Sequence, residues 1–525
     1  MVRTKKTKTE TALTSAQQLG SIIKSTRDIM RKDKGLNGDL DRLPMLTWIM
    51  FLKFLGDLEE MREGEASLEG KPYEPLIEAP YRWRDWGRDP KSITGDVLIA
   101  FISQDEAPRP DGTRGAGLFA YLRNLKSLDG KGQQEIIANI FQGVMNRMGS
   151  GFLLRDVIDK INGINFAASE EVHTLSRLYE SLLRELRDAA GDSGEFYTPR
   201  PVVQFMVKAL DPQLGETVLD PACGTGGFLV EAFDHLQAQV KTTQDREVLQ
   251  WKSLYGKEAK SLPYLLAQMN LLLHGLERPD IEYGNSLAVN LTSLGVKDRV
   301  DVILTNPPFG GEEEGSIKSG FPNDLQTAET AMLFLQLIMR MLKMPQQSQG
   351  KAGRATVVVP NGTLFGDGVC ARIKERLLKD FNLHTIVRLP NGVFAPYTII
   401  PTNLLFFDRT RPTEEIWYYE HPLPEGRKNY TKTKPIQYEE FGDCLAWWHD
   451  RKETDRAWKV PVAEVLKYDG ETLVSVNLDI KNPNGKEELF HKPPEELLAS
   501  IWQKEQRILE ILGDIKDALK REGDL

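Results

Sequence analysis

The chain has 525 residues, a formal net charge of −9 at pH 7 and 40% hydrophobic residues. This length allows about three structural units, and the composition excludes a disordered, collagen-like or disulfide-framework chain. The acidic balance argues against strong binding to a polyanion through bulk electrostatics, so a role on nucleic acid requires a local basic surface or a basic partner.

The first residues carry charge but no targeting signal. No apolar segment follows the charged start at residues 1–8, and no apolar run in the chain approaches the roughly 18 residues of a membrane span. The three cysteines form no C-x-x-C pair, which excludes a cysteine zinc site and fits a reducing compartment. We therefore expect a cytoplasmic protein that binds no membrane and no metal.

Apolar residues recur at helical spacing from Ala16 to about residue 190, with turn-rich interruptions at 70–94 and 104–117. This pattern predicts an α-helical N-terminal domain, which we place at residues 1–170. Residues 1–34 hold nine Lys and Arg against three acids, an excess that is typical of a solubilising tail.

Beyond Gly194, short β-branched runs alternate with amphipathic stretches. The clearest runs are at residues 217–219, 300–304, 355–359, 385–389 and 403–407. Such alternation predicts an α/β fold with a mostly parallel sheet and helices on both of its faces. Sheets of this kind bind ligands at the carboxyl ends of their strands, beside the topological switch point.

The first of these runs leads into a glycine-rich turn, Asp220-Pro-Ala-Cys-Gly-Thr-Gly-Gly227, that opens a helix. The glycines allow the backbone to approach an anionic group at the helix start, although neither a dinucleotide nor a Walker spacing is present. Asp220 at the strand tip suits a cationic ligand group. Glu258 follows the next strand and can accept two ribose hydroxyls, and Asn285 follows the third, where it either contacts an adenine edge or caps a turn.

The strongest strand pattern, Val300–Thr305, ends in Asn306-Pro307-Pro308-Phe309. The two prolines fix the backbone, and a polar amide beside an aromatic ring on a loop makes a site for a planar amine. An Asn-Pro turn that caps a strand is the alternative interpretation, but it is disfavoured because the loop follows the glycine-rich turn and two polar strand tips.

Together these motifs resemble the modification (M) subunits of type I restriction-modification systems, which are DNA adenine-N6 methyltransferases that use S-adenosylmethionine. The resemblance rests on Gly194–Pro201, Asp220–Gly227, Glu258 and Asn306–Phe309, and it covers most of the chain. It implies a Rossmann-like methyltransferase sheet at residues 171–480, preceded by the α-helical domain and followed by a C-terminal helix.

The resemblance also implies the residues that bind the cofactor. The segment that matches Glu195–Arg200 flanks the methionine end of S-adenosylmethionine, the glycine loop that matches Thr225–Gly227 completes that cradle, and the acid that matches Glu258 holds the ribose. The cofactor-binding set is Glu195, Phe196, Tyr197, Thr198, Pro199, Arg200, Asp220, Thr225, Gly226, Gly227, Glu258 and Asn285.

Three residues are expected to act on the target base. An exocyclic adenine amine is a poor nucleophile because its lone pair is delocalised into the ring. We expect the side-chain oxygen of Asn306 and the carbonyl of Pro307 to accept its two N–H bonds as preplaced acceptors, while Phe309 stacks on the base. The base must first leave the duplex, which costs a few kcal/mol.

The C-terminal segment opens at Pro493-Pro494 with an apolar seam at Leu498–Leu519 that Glu505 interrupts. This helix either packs on its own domain or offers an edge to a partner, and we assign residues 481–525 to partner assembly. No segment predicts a target-recognition domain, a nuclease or a Walker site, and no basic cluster is evident after the predicted sheet. The family assembles as two M subunits around one specificity (S) subunit, so the expected partners are double-stranded DNA with a flipped adenine, an S subunit, a second M subunit and, in the full complex, a restriction (R) subunit.

Two alternatives stay open at this stage. Asn-Pro-Pro-aromatic motifs also occur in enzymes that methylate RNA guanine or protein glutamine, and the chain could be an inactive scaffold of a DNA-binding complex. Phe at position 309, the helical domain and the C-terminal helix favour DNA adenine. The intact set of Asp220, Glu258 and Asn306 argues against a scaffold.

Overall fold

The computed structural model describes residues 15–126, 133–166, 198–311, 313–347, 351–395, 398 and 400–484, and in the C-terminal region residues 502, 505, 506, 508 and 512. Within these residues, a group of helices precedes a large mixed sheet whose two faces are both covered. This arrangement confirms the predicted α/β fold and the helical domain before it.

The N-terminal helices pack around a core of aromatic and aliphatic side chains. Trp48 and Phe119 meet edge to face with ring centroids 5.1 Å apart, and both are buried. The interval at 104–117, where turns were expected, holds a short antiparallel hairpin. The predicted boundary at residue 170 lies outside the described residues and stays a prediction. The elements are α1 (Ser15–Met30), α2 (Asp39–Leu68), α3 (Trp83–Trp86), α4 (Gly95–Ser103), β1 (Glu106–Pro108), β2 (Arg114–Ala116), α5 (Leu118–Arg123), α6 (Gln133–Gln142) and α7 (Gly151–Ile161).

Nine strands of the described residues form the central sheet in the order β11-β10-β8-β9-β7-β6-β3-β4-β5. Only β9 and β11 run against the others, which confirms the expectation of a mostly parallel sheet. The five predicted runs all lie in this sheet, as β3, β6, β7, β8 and β9. The strands are β3 (Val218–Asp220), β4 (Leu254–Glu258), β5 (Asp280–Tyr283), β6 (Val302–Thr305), β7 (Arg354–Pro360), β8 (Asn382–Arg388), β9 (Thr402–Asp408), β10 (Glu415–Glu420) and β11 (Ala457–Pro461).

Alternate residues of each strand enter two separate hydrophobic cores, because side chains of a strand point to opposite faces. On β6, Val302 and Leu304 join one core and Ile303 joins the other. The helices of this part of the chain are α8 (Arg200–Leu210), α9 (Gly227–Gln237), α10 (Thr243–Lys252), α11 (Ser261–Leu273), α12 (Gly315–Lys318), α13 (Thr330–Met341), α14 (Val369–Asp380), α15 (Gly442–His449) and α16 (Val462–Val465).

The strand order reverses between β3 and β6. From β3 the chain proceeds to β4 and β5 on one side, and it then crosses to place β6 on the other side of β3. Two loops therefore diverge above this point and leave a crevice between them. The glycine-rich turn after β3 and the Asn-Pro-Pro-Phe loop after β6 border that crevice.

The N-terminal helices rest on one side of the central sheet. Helices α2 and α6 contact α11, the helix that follows β4, and the Arg62 guanidinium lies 4.0 Å from the Glu277 carboxylate just beyond it. A Cβ at Gly143 would meet the Ser261 side chain at 2.4 Å, so the absence of a side chain there allows the close approach. The helical domain thereby supports the element that forms one wall of the crevice.

After the sheet, β12 (Leu466–Asp469) and β13 (Thr472–Val476) form a hairpin. The following residues return to the carboxyl edge of the sheet, where Arg388 pairs with Asp479 and the Tyr418 hydroxyl donates to the carbonyl of Leu478 at 3.0 Å. Most of the apolar seam at Leu498–Leu519 lies outside the described residues. The five described residues in this segment, at 502, 505, 506, 508 and 512, are helical. Among the residues that are described, no helix combines the length and apolar character needed to cross a bilayer.

Candidate active site

A cavity of about 300 Å³ lies at the carboxyl ends of β3, β4 and β6, and its volume is at the lower end of the range for small-molecule sites. Eight of the sequence-predicted residues line it: Thr198, Arg200, Asp220, Thr225, Gly227, Glu258, Asn285 and Asn306. Four others are close by in the chain but are not in its lining: Pro199, Gly226, Pro307 and Phe309. Glu195, Phe196 and Tyr197 lie outside the described residues.

The glycine-rich turn takes its shape from positive backbone angles. Gly224 has φ +54° and Gly226 has φ +78°, a region that favours glycine. A Cβ at Gly226 would lie 3.3 Å from the Cβ of Ala267 on α11, so Gly226 joins the turn to that helix and does not face the cavity. Helix α9 begins at Gly227 without a side-chain cap, and Gly227 and Phe228 of its first turn line the cavity.

Asp220 is buried at the tip of β3. Its Oδ1 accepts hydrogen bonds from the Thr305 hydroxyl at 2.7 Å and from the Ala222 N–H at 3.1 Å. Burial raises the pKa of this carboxyl from 3.8 to about 7, and these two bonds only partly oppose the shift. A cationic group in the cavity would favour the ionised form of Asp220.

Glu258 is buried at the tip of β4, with both carboxylate oxygens bonded to the backbone. Oε2 accepts from the Gly224 N–H at 2.9 Å, and Oε1 accepts from the Lys260 N–H at 2.8 Å. Burial raises the pKa of this carboxyl despite the two bonds. Each carboxylate oxygen has two lone pairs, so Glu258 is fixed in orientation and retains acceptor capacity for hydroxyl groups.

Asn285, after β5, uses its side-chain oxygen to cap a short 3₁₀ turn at Ser286–Ala288, where it accepts from the Leu287 N–H at 2.9 Å. The side-chain oxygen of Asn285 therefore makes the hydrogen bond that the turn interpretation expects. The neighbouring Ser286 hydroxyl donates to the Pro221 carbonyl at 2.5 Å and ties this turn to the loop after β3.

Asn306 follows β6 and is oriented by a residue that precedes α8. Its Nδ2 donates to the Thr198 hydroxyl at 3.0 Å. Its Oδ1 is buried and, among the described residues, has no hydrogen-bond partner. A buried acceptor without a donor is costly unless a ligand supplies one, so the cavity presents one unused hydrogen-bond acceptor.

The aromatic residue of the loop is less open than the sequence predicts. Pro307 is buried, and Phe309 is half-buried against the hydrophobic core. Its ring lies 5.7 Å from that of Phe394, with the planes inclined by 68°. Phe394 belongs to the loop between β8 and β9, and it contacts one edge of the Phe309 ring.

Arg200 lines the cavity but is held by acids of α9. Its guanidinium lies 2.8 Å from the Glu231 carboxylate and 3.6 Å from that of Asp234. Pro199 precedes α8 and sets its start. These contacts make Arg200 a fixed part of the wall beside the glycine-rich turn.

Sequence reasoning missed several residues of the lining, including Asn270, Ser286, Thr330 and Phe334. Asn270 donates from Nδ2 to the carbonyl of Thr225 at 3.0 Å, and its Oδ1 is buried without a partner among the described residues. The signal for Asn270 was present, because it is one of the few polar residues in the largely apolar helix α11.

Comparison with known proteins gives consistent matches. Residues 170–488 match the model of the N-6 DNA Methylase family. The chain is 46% identical over 511 residues to the methylase subunit of the type I restriction enzyme EcoEI from Escherichia coli, covering 95% of this chain and 97% of that one.

Two solved structures match most of the chain. The crystal structure of a modification subunit of a putative type I restriction enzyme from Vibrio vulnificus YJ016 has 69% identity and a TM-score of 0.84, covering 92% of this chain and all of that one. A chain from a study of complex assembly and conformational transition of the type I restriction-modification system has 39% identity and a TM-score of 0.75, covering 97% of this chain and all of that one.

Proposed function

Since the chain belongs to the N-6 DNA methylase family, as a modification subunit of a type I restriction-modification system, we propose that it transfers the methyl group of S-adenosylmethionine to the N6 amine of an adenine in DNA. The observation that carries this proposal is the buried, unpaired Oδ1 of Asn306 in a cavity that Asp220 and Glu258 also line. The cavity thereby combines a hydrogen-bond acceptor for an amine with two carboxylates that suit the cofactor.

The lining fits S-adenosylmethionine in its chemistry. The Asp220 carboxylate suits a cationic group, Glu258 has acceptor capacity for the ribose hydroxyls, and the open N–H groups at the start of α9 suit an anionic group. Asn270 adds an unpaired oxygen. When bound, the cofactor supplies an electrophilic methyl group. Thr198, Arg200, Thr225, Gly227 and Asn285 complete the set of described residues that would contact it.

Asn306 would act on the target amine and not on the cofactor. Its Nδ2 is held by Thr198, which leaves Oδ1 to accept one N–H of the adenine amine. The carbonyl of Pro307 is the second proposed acceptor. Two fixed acceptors favour a pyramidal nitrogen, whose lone pair is then available to the methyl carbon, and they need no reorganisation as positive charge develops.

Phe309 would stack on the flipped adenine. Its position beside Phe394 fixes one edge of its ring, while the loop leaves the residue half exposed. Stacking contributes about 1–3 kcal/mol per base, comparable to the few kcal/mol that unstacking and unpairing a base cost. The aromatic ring thus offsets part of the cost of base flipping.

The partners follow from the family and from the charge of the chain. Because the chain is acidic and no segment of it predicts a recognition domain, we expect an S subunit to select the site, a second M subunit to complete the symmetric complex and an R subunit to carry out cleavage. In the C-terminal region the apolar side chains of Trp502, Ile508 and Leu512 are 65%, 56% and 54% exposed. Exposed apolar residues on a helix support assignment of this segment to subunit assembly.

The test is methyl transfer by the M and S subunits purified together, with labelled S-adenosylmethionine and equal amounts of cognate DNA, total RNA or denatured protein. We expect label in DNA alone, and its loss in Asn306→Ala. The exposed Asn37 of the helical domain, changed to Ala, is the matched control and should leave transfer unchanged. Label in RNA or protein would support one of the alternative substrates, and no transfer despite cofactor binding would support a scaffold.

A further inference from the structure

A group of cations follows β10 at the same edge of the sheet as Asn306–Phe309, which we call the catalytic loop. Residues 425–434, which we call the basic loop, contain Arg427, Lys428, Lys432 and Lys434 but only one acid, Glu425. All three lysines are exposed, although the chain as a whole is acidic. Among the described residues, neither Lys428 nor Lys434 pairs with a carboxylate. The expectation of no basic cluster after the sheet was therefore wrong.

The basic loop is held in one position by its central residue. Tyr430 is completely buried, its N–H donates to the Asn391 carbonyl at 3.1 Å, and its hydroxyl donates to the Glu440 carboxylate at 2.5 Å. Gly392 has φ +78°, and a Cβ there would lie 2.2 Å from the carbonyl oxygen of Tyr430. The basic loop and the loop after β8 thus pack backbone against backbone.

This contact connects the basic loop to the catalytic loop. Phe394 lies two residues after Gly392, and its ring contacts that of Phe309. Strand β10 is parallel to β8, and β8 runs in the same direction as β6, so the chain leaves β10 at the edge where Asn306 follows β6. The lysines therefore lie at the carboxyl edge of the sheet, on a loop that is connected to Phe309 through Gly392 and Phe394.

We propose that the basic loop binds phosphate groups of the DNA strand that carries the flipped adenine; this inference rests on the proposed function. Lysine is a point charge on a flexible stem, which suits phosphate contacts that position DNA without reading its sequence. Exposed Asn429, Thr431 and Thr433 between the cations are further groups that commonly bond to phosphate. The loop would hold the strand on either side of the base while the S subunit selects the site.

The test compares two triple variants in the complex of full-length M with its S subunit. Three lysines of the basic loop are changed to Gln in one, and three exposed lysines near the amino ends of the strands, at the opposite edge, are changed to Gln in the control. The affinity for a fluorescent cognate duplex is measured at several salt concentrations. The variants are K428Q/K432Q/K434Q and K208Q/K241Q/K252Q.

Each phosphate contact contributes about −0.9 to the slope of log affinity against log salt. If all three lysines bind phosphate, wild type loses about 40-fold more affinity between 50 and 200 mM salt than the basic-loop variant does. The control should retain the wild-type slope, and both variants should bind S-adenosylmethionine as wild type does.

Three results would contradict the proposal, and they distinguish a failure of the phosphate contact from a failure of the proposed function. A basic-loop variant with the same slope as the control contradicts the phosphate contact, provided that the wild-type complex methylates adenine. Loss of co-elution with the S subunit in that variant alone would assign the basic loop to a protein interface instead. Failure of the wild-type complex to methylate adenine would refute the proposed function itself.

Discussion

Replacement of Asp220 by Asn should stabilise the ligand-free protein above neutral pH and weaken its binding of S-adenosylmethionine. Asp220 is buried, and its pKa is raised from 3.8 to about 7. At a pH between 3.8 and about 7, Asp220 of the folded chain therefore keeps a proton that Asp220 of the unfolded chain has already lost. By linkage, stability falls as the pH rises from about 4 to about 7 and then levels off.

The size of this effect follows from the shift. At 1.36 kcal/mol per pKa unit, the rise of the Asp220 pKa from 3.8 to about 7 corresponds to about 4 kcal/mol at pH 8. At pH 5.5 roughly half of that loss has occurred. Asn keeps a side-chain oxygen for the Thr305 and Ala222 bonds but carries no charge. The advantage of the variant should therefore grow by about 2 kcal/mol between pH 5.5 and 8.

The assay is urea unfolding of the ligand-free chain at both pH values, followed by calorimetric titration with S-adenosylmethionine. Because a sulfonium favours ionised Asp220, the affinity of wild type should rise between pH 6 and 8 while that of the variant stays flat. Asp469→Asn, at an exposed position of β12, is the control. An Asp220→Asn chain with the same pH dependence of stability and cofactor affinity as wild type would refute the reasoning.

Four further substitutions or deletions test individual roles. Glu258→Ala should weaken cofactor binding by about 1.5–3 kcal/mol, because a charge-assisted acceptor is lost; unchanged affinity in calorimetry would exclude the ribose role. Asn306→Ala should abolish methyl transfer in a filter assay while calorimetry shows near wild-type cofactor affinity. Phe309→Ala should reduce the affinity for DNA with a flipped adenine analogue by about 1–3 kcal/mol, measured by fluorescence anisotropy. Deletion of residues 493–525 should leave a folded, cofactor-binding chain that no longer co-elutes with the S subunit, whereas retained co-elution would mean that the segment packs on its own domain.

The parts of the fold that the sequence predicts are those with strong local patterns. The β-branched run at Val302–Thr305 forms a fully buried central strand, and such strands appear as continuous apolar segments. Strands β10 and β11 were missed because Glu415, Lys459 and Pro461 interrupt their apolar pattern, as is common at the edge strand β11 and beside it. Their pairing is set by long-range contacts that no local window contains.

The candidate site shows the same difference between local patterns, which the sequence predicts, and long-range contacts, which it does not. Asp220, Glu258 and Asn306 could be identified because each follows a strand, and parallel strands bring their carboxyl ends to one edge. The contact between Phe309 and Phe394 joins loops 85 positions apart in the chain. The basic loop was missed because its cations do not form one uninterrupted run in the sequence. The packing of Gly392 on Tyr430, which connects this loop to the loop that contacts Phe309, depends on residues far apart in the chain.

The most direct test of the central claim is mass spectrometry of nucleosides from cognate DNA after incubation with the M and S subunits and S-adenosylmethionine with a deuterated methyl group. The proposed function predicts deuterated N6-methyladenine as the product with wild type and none with Asn306→Ala. The contradicting result is deuterated methyl on another base, or an equal yield of N6-methyladenine from Asn306→Ala.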